Sequence, residues 1–147
     1  MAISDQPARS RLKPILIVED DERCLQLLHD VLELQGYKVV GTGLGAAAVH
    51  LAREHHPDLI ILDIRLPDIS GLEAVRQLKA DAMTRIIPII AVTAVAMRED
   101  ERKLLNGGCA LYVAKPFIPS EFVETVARFL DQRAVVMIER GETTGLN

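Results

Sequence analysis

The chain has little of what marks a secreted, membrane-spanning or nucleic-acid-binding protein. Cysteine occurs twice in 147 residues, at Cys24 and Cys109, far apart and in no CxxC or zinc-like cluster. This argues against a disulfide framework and reads as two small buried hydrophobes in a reducing compartment. No apolar run approaches the roughly 20 residues that a bilayer-spanning helix needs. The first 13 residues carry Asp5, Arg9, Arg11 and Lys13 and no apolar h-region, so they are not a signal peptide. Positive charge is not in excess: 17 Lys and Arg stand against 21 Asp and Glu, a net charge of -4. The basic surface usual in nucleic-acid binders is therefore not expected. Internal repeats, linkers and low-complexity segments are also missing.

What is present is an alternation. With 49% hydrophobic and 26% charged residues, the composition is that of a globular domain large enough for one sizeable core. Short apolar runs at 14–18, 37–40, 59–62, 87–92 and 110–114 read as strands. Between them lie helical patterns at 22–35, 46–55, 71–80 and 97–106, and a last one runs from Ser120 to about Leu130. Gly36 stops the first helix, Pro57 ends the second, and Ser70 and Ser120 are N-cap candidates. Continuous apolar strands alternating with helices predict an α/β fold, a doubly wound five-stranded parallel sheet of (βα)5 type. The expected division is a flexible tail over 1–12, one domain over 13–131 and a C-terminal extension over 132–147. In that extension Val135–Ile138 could prolong the last helix, pair as an edge strand or meet a partner.

Chemistry gathers where the strands end. Ile15–Val18 is followed by Glu19-Asp20-Asp21, Leu59–Leu62 by Asp63, Ile87–Val92 by Thr93, and Leu111–Ala114 by Lys115. In doubly wound sheets ligands bind outside the carboxyl ends of the strands, where strand order reverses. Carboxylates forced together repel, and a divalent cation relieves the conflict. Hard oxygen donors without His or Cys nearby favour Mg2+. Asp63 is the candidate nucleophile, able to attack phosphorus and become an acyl phosphate. Lys115 and Thr93 would neutralise and hold the phosphoryl oxygens. Taken singly, a snorkelling lysine, a strand-end threonine and a solvated acidic loop are the simpler readings; their recurrence at the same strand ends outweighs those readings.

The set resembles the receiver domain of bacterial two-component response regulators, with a CheY-like, flavodoxin-like fold. The matching stretches are Ile15–Asp21, Pro57–Asp63, Leu66-Pro67 through Gly71, Thr93-Ala94 and Lys115-Pro116-Phe117, in order over roughly residues 13–131. The resemblance implies that Asp63 is the phosphoacceptor. Asp20 would bind Mg2+ directly, Glu19 through water, Asp63 would itself be among the metal ligands, and the Arg65 backbone carbonyl would complete the protein set. Lys115 would pair with Asp63 and then its phosphoryl group, Thr93 would move to that group, and Tyr112 would swing inward as the aromatic part of the switch. The Lys115-Pro116 peptide is expected to be cis. Arg65 and Val95 sit where dephosphorylation rate is tuned, and their bulk suggests a long-lived phosphoryl state. Leu66-Pro67 stands where many relatives have Met-Pro.

The resemblance further implies a histidine kinase or histidine phosphotransfer protein as donor and a downstream protein target. It implies no direct nucleic-acid or membrane contact, a monomer or weak dimer, and a cytoplasmic location. It is closest to stand-alone regulators of the DivK type, with the receiver of a hybrid histidine kinase as the alternative. Two rivals stand beside it. One is a phosphorylation-independent binding module on the same fold. The other is a Mg2+-dependent phosphatase of haloacid-dehalogenase type, which needs a second Asp two residues after the nucleophile, where this chain has Arg65. His55-His56 reads as a helix-end pair, His29 and His50 as helix-surface residues, and 98–103 as an exposed charged helix face.

Overall fold

The computed structural model describes residues 13–94 and 98–139, with side chains described to residue 131 apart from 98–100. Five strands alternate with five helices: β1 (Ile15–Val18), α1 (Glu22–Leu34), β2 (Val39–Thr42), α2 (Ala48–His55), β3 (Leu59–Asp63), α3 (Gly71–Ala80), β4 (Ile89–Thr93), α4 (Arg98–Asn106), β5 (Leu111–Ala114) and α5 (Pro119–Glu139). A 3-10 turn, Gly45–Ala47, leads into α2. All strand pairs are parallel and the order is β2-β1-β3-β4-β5. The chain winds outward from β1 in one direction and from β3 in the other, so the order reverses between them.

Every residue of β1, β3 and β4 is buried, as a sheet covered on both faces requires. Leu16, Val18, Ile60, Leu62, Ile89 and Ala91 share one face and pack with Ala48 and Ala52 of α2, Ala74, Val75 and Leu78 of α3, and Leu104 of α4. Ile15, Ile17, Ile61 and Ile90 alternate to the opposite face and are equally buried. Each fully buried Leu or Ile contributes about 1.5–3 kcal/mol relative to exposure. This core holds the strand ends rigid, and so positions the polar residues that follow them.

The helix signals carry through with local differences. Asp21 caps α1, its carboxylate accepting from the Arg23 and Cys24 amides, and Gly36 (φ 93°) takes the left-handed position past the C-cap. Ser70 caps α3 by accepting from the Glu73 amide at 3.1 Å. Ser120 does not cap the last helix. Pro119 occupies the first helical position, which suits its fixed φ and missing N–H, and Ser120 lies inside. That helix runs to Glu139, beyond the expected end near Leu130, so Val135–Ile138 prolong it. β4 starts at Ile89, later than expected: the Ile87 amide is turned back to the Thr84 carbonyl, and Pro88 has no N–H to donate. β2 is shifted to Val39–Thr42 because the Tyr37 amide bonds the Leu32 carbonyl in the α1 exit turn.

Within residues 117–139, Phe117 and Phe122 stack with ring centroids 4.7 Å apart. Among the residues of α5 whose side chains are described, Phe122, Val126 and Leu130 are buried, and Val123 and Phe129 are half-buried. The tail at 1–12, residues 95–97 and the end at 140–147 lie outside the described residues, and with them the reading of Val95.

Candidate phosphoryl and metal site

Register brings the site together. Val18 pairs with Leu62, so Glu19 and Asp63, the next residues, stand side by side where β1 and β3 end. Asp63 itself pairs with Val92 of β4, which places Thr93 one step further on. Thr93 pairs with Ala114, and the Lys115 amide donates to the Thr93 carbonyl at 2.8 Å. Four strands thus deliver Glu19, Asp63, Thr93 and Lys115 to one edge, at the reversal of strand order.

The three acids of the first loop divide their roles. Asp21 spends its carboxylate on the α1 cap. Glu19 is turned inward and buried, accepting the Asp21 amide at 3.1 Å. Asp20 stays exposed, yet one oxygen from each of Glu19, Asp20 and Asp63 lies within 4.8 Å of the others. Lys115 reaches into this group, and its Nζ donates to Glu19 Oε1 at 2.6 Å and to Asp63 Oδ2 at 3.1 Å. The pairing with Asp63 matches the sequence expectation. The shorter bond to Glu19 was not legible there, because nothing in the sequence showed that Glu19 points inward.

The electrostatics follow from this crowding. Burial raises the Glu19 carboxyl above its ordinary value, and its bond with Asp63 raises it further; the ammonium of Lys115 opposes both. Burial works against the charge on Lys115, but its bonds to Glu19 and Asp63 prevail and hold it above the ordinary lysine value. Three carboxylates share one ammonium, so the site keeps an excess of negative charge. Its donors are hard oxygens close enough to surround one small cation, which is the donor set Mg2+ takes. The residues present fit that ion.

Cys24 is a residue the sequence reading missed. The sequence suggests a small buried hydrophobe there and no cysteine near the acids. Its half-buried thiol instead lies beside Glu19. Burial first, then the neighbouring Glu19 carboxylate, push the thiol up to about 12. A neutral thiol does not compete with the carboxylates as a metal ligand. The spacing Glu19 to Cys24 offers a signal in hindsight: the third residue of a helix capped by Asp21 faces back toward the loop before it.

The loop after Asp63 is tightly built. Asp63 Oδ1 accepts the Arg65 amide at 3.0 Å, and the Ile64 carbonyl accepts from Gly71 at 2.8 Å. A Cβ at Gly71 would lie 2.4 Å from the Ile64 Cα, so only glycine admits this approach. The Arg65 side chain is exposed, and the Lys115-Pro116 peptide is cis. Thr93 is buried, and Tyr112 is half-buried against the core cluster. His55 ends α2, His56 (φ 48°) is its left-handed C-cap, and His29 and His50 face acids on their own helices.

The chain is similar to known proteins over most of its length. The family model for the response regulator receiver domain matches residues 15–127. The polar-differentiation response regulator DivK of Brucella ovis is 48% identical over 118 residues, 80% of this chain and 96% of that protein. A CheY-like receiver domain protein from Methanospirillum hungatei superposes with a TM-score of 0.77 at 30% identity, covering 82% of this chain and 95% of its own. The receiver domain of a sensor histidine kinase from Pseudomonas aeruginosa, solved with magnesium coordinated in its active-site cleft, gives 0.72 at 35% identity over 80% and 96%.

Proposed function

Because this chain belongs to the response regulator receiver family, we propose that it takes a phosphoryl group from a phosphohistidine donor onto Asp63 and signals through the change in packing that follows. The observation that carries this reading is the bridge from Lys115 to both Glu19 and Asp63 beside the exposed Asp20. A carboxylate oxygen of Asp63 attacks phosphorus, the P–N bond to the donor imidazole breaks, and an acyl phosphate remains on Asp63. Asp20, Glu19 and Asp63, with the Arg65 backbone carbonyl, would hold Mg2+. When bound, Mg2+ neutralises charge on the phosphoryl oxygens.

Lys115, already at the Asp63 carboxylate, keeps its ammonium on the product phosphoryl group. Thr93 turns its hydroxyl to the same group, and Tyr112 follows. The output is a population shift between two packings, read by a protein that binds one of them better. The donor is a histidine kinase or histidine phosphotransfer protein. Both DivK and the kinase-borne receiver match this chain, so the same chemistry serves a stand-alone regulator or a receiver within a larger kinase.

Residues 13–131 are read as the receiver and 132–147 as an extension of it. The protein acts as a cytoplasmic signalling switch and not as a turnover enzyme, and Arg65 at the second position after Asp63 supports this. No described helix is long and apolar enough to cross a membrane. The test is acetyl phosphate with Mg2+ followed by intact mass. The expected result is one phosphoryl increment on the wild type, lost with EDTA and absent from Asp63→Asn. An unmodified wild type that also fails to bind Mg2+ would leave a passive binding module.

A further inference from the structure

The 3-10 turn Gly45–Ala47 and helix α2 that continues it carry no side-chain cap of their own; the preceding residue is Leu44. The missing cap comes from the other side of the site. Asp68 Oδ1 accepts the Gly45 amide at 2.9 Å and Asp68 Oδ2 accepts the Ala46 amide at 2.8 Å. One carboxylate thus spans two amides more than 20 residues away in sequence, in the bidentate manner that fixes position as well as distance. The Ala46 amide first, then that of Gly45, holds the Asp68 carboxyl below its ordinary value, although the side chain is exposed.

Both gripped segments reach the metal site. Asp68 lies in the loop that starts at Asp63 and contains Arg65, braced at its far end by the Gly71 to Ile64 bond. The other segment starts at Gly43, whose missing Cβ would lie 3.6 Å from the Asp20 Cα and 3.7 Å from the Glu19 carbonyl oxygen. Gly45 is pressed closer than that: a Cβ there would meet the Ile69 side chain at 2.8 Å and the Leu66 side chain at 2.9 Å, whereas at Gly43 the distances are those of ordinary contact. The β2–α2 loop therefore lies between the acidic loop, which it neighbours at ordinary contact distance, and the loop after Asp63, against which it is tight, and Asp68 is the polar clasp on that tight side.

We propose that Asp68 is a positioning residue for the metal site, clasping the Gly45 and Ala46 amides so that the Asp20 loop and the Arg65 loop are held at a fixed separation. This rests on the reading of Asp20 and the Arg65 carbonyl as Mg2+ ligands. Asp68 touches neither the ion nor the phosphoryl group. It acts by removing the loop motion that ion binding would otherwise have to freeze out. Outer partners that orient ligands typically change metal affinity by about 10–100-fold when lost. A clasp one step further out belongs at the lower end, near 10-fold.

The test uses the full chain and Mg2+ alone, with calorimetric titration for affinity and amide hydrogen exchange on the metal-free protein. In Asp68→Ala, the Gly45 and Ala46 amides should exchange faster and the Mg2+ dissociation constant should rise about 10-fold. Asp68→Asn, which keeps one acceptor, should fall between. Asp81→Asn, which breaks the ion pair with Arg53, should leave Mg2+ affinity unchanged. An Asp68→Ala chain whose two amides have lost protection but whose Mg2+ affinity stays within twofold of wild type overturns the proposal. If the alanine variant does not fold, unchanged affinity in Asp68→Asn overturns it equally. A wild type that binds no Mg2+ removes the metal-site reading itself, which separates that failure from a failure of the clasp.

Discussion

Lys115 donates to two of the three carboxylates gathered at the strand ends, so removing it leaves Glu19 and Asp63 buried against each other. Breaking a buried pair from one side costs about 3–5 kcal/mol, and Lys115→Met should lose about 3 kcal/mol at neutral pH by urea titration. Its dependence on pH follows from the raised lysine value. The contribution is fully present below the unfolded value of 10.5 and is lost as pH rises through the higher folded one. The gap in stability between wild type and Lys115→Met should thus hold up to pH 10.5 and narrow above it. Cys24 gives a second prediction at this scale. With its thiol pushed up to about 12 and that of Cys109 to about 11, both should alkylate slowly at pH 8 in the native protein and quickly in denaturant. Native-state labelling of Cys24 at the rate of a free thiol would contradict the raised thiol.

Among the elements, the loop between β3 and α3 is the most constrained. Its turn exists because Gly71 lets the α3 N-terminus close on the backbone of Ile64. Gly71→Ala forces a methyl group against that backbone, and overpacking of this kind costs about 1–3 kcal/mol. The upper end is expected, since the obstacle is main chain and cannot rotate away. The same change should weaken Mg2+ binding, because Ile64 carries Arg65 with it; thermal melts and Mg2+ titration on one preparation separate the two effects. The ends of elements were less legible in sequence than their existence. Gly71–Ala80 stands where its pattern placed it, and the third strand runs one residue past the expected 59–62, to Asp63. Ser120 failed as a cap because the proline before it was the better first helical residue, and Ile87 failed as a strand residue because of the proline after it.

For the whole molecule, a cation that binds the folded site and not the unfolded chain stabilises by mass action, about 2.7 kcal/mol at a hundredfold excess over its dissociation constant. Mg2+ should therefore raise the melting temperature of the wild type, and the rise should be lost in Asp20→Asn. An equal rise in both would place the ion elsewhere. The fold supplies what this effect needs. Three strands buried along their whole length keep Glu19, Asp63 and Thr93 in register, so the cost of assembling the acidic group is met when the protein folds.

The sequence by itself determined the alternation of strands and helices and the residues that end the strands. Both are local properties: apolar runs, glycine and proline stops, and the type of the next residue. Tertiary structure alone decided which of the first three acids turns inward, that Lys115 bonds Glu19 more closely than Asp63, that Cys24 backs Glu19, and that Asp68 reaches across to cap another segment. Each of these depends on distances between residues remote along the chain, and such distances come into being only when the sheet sets its register.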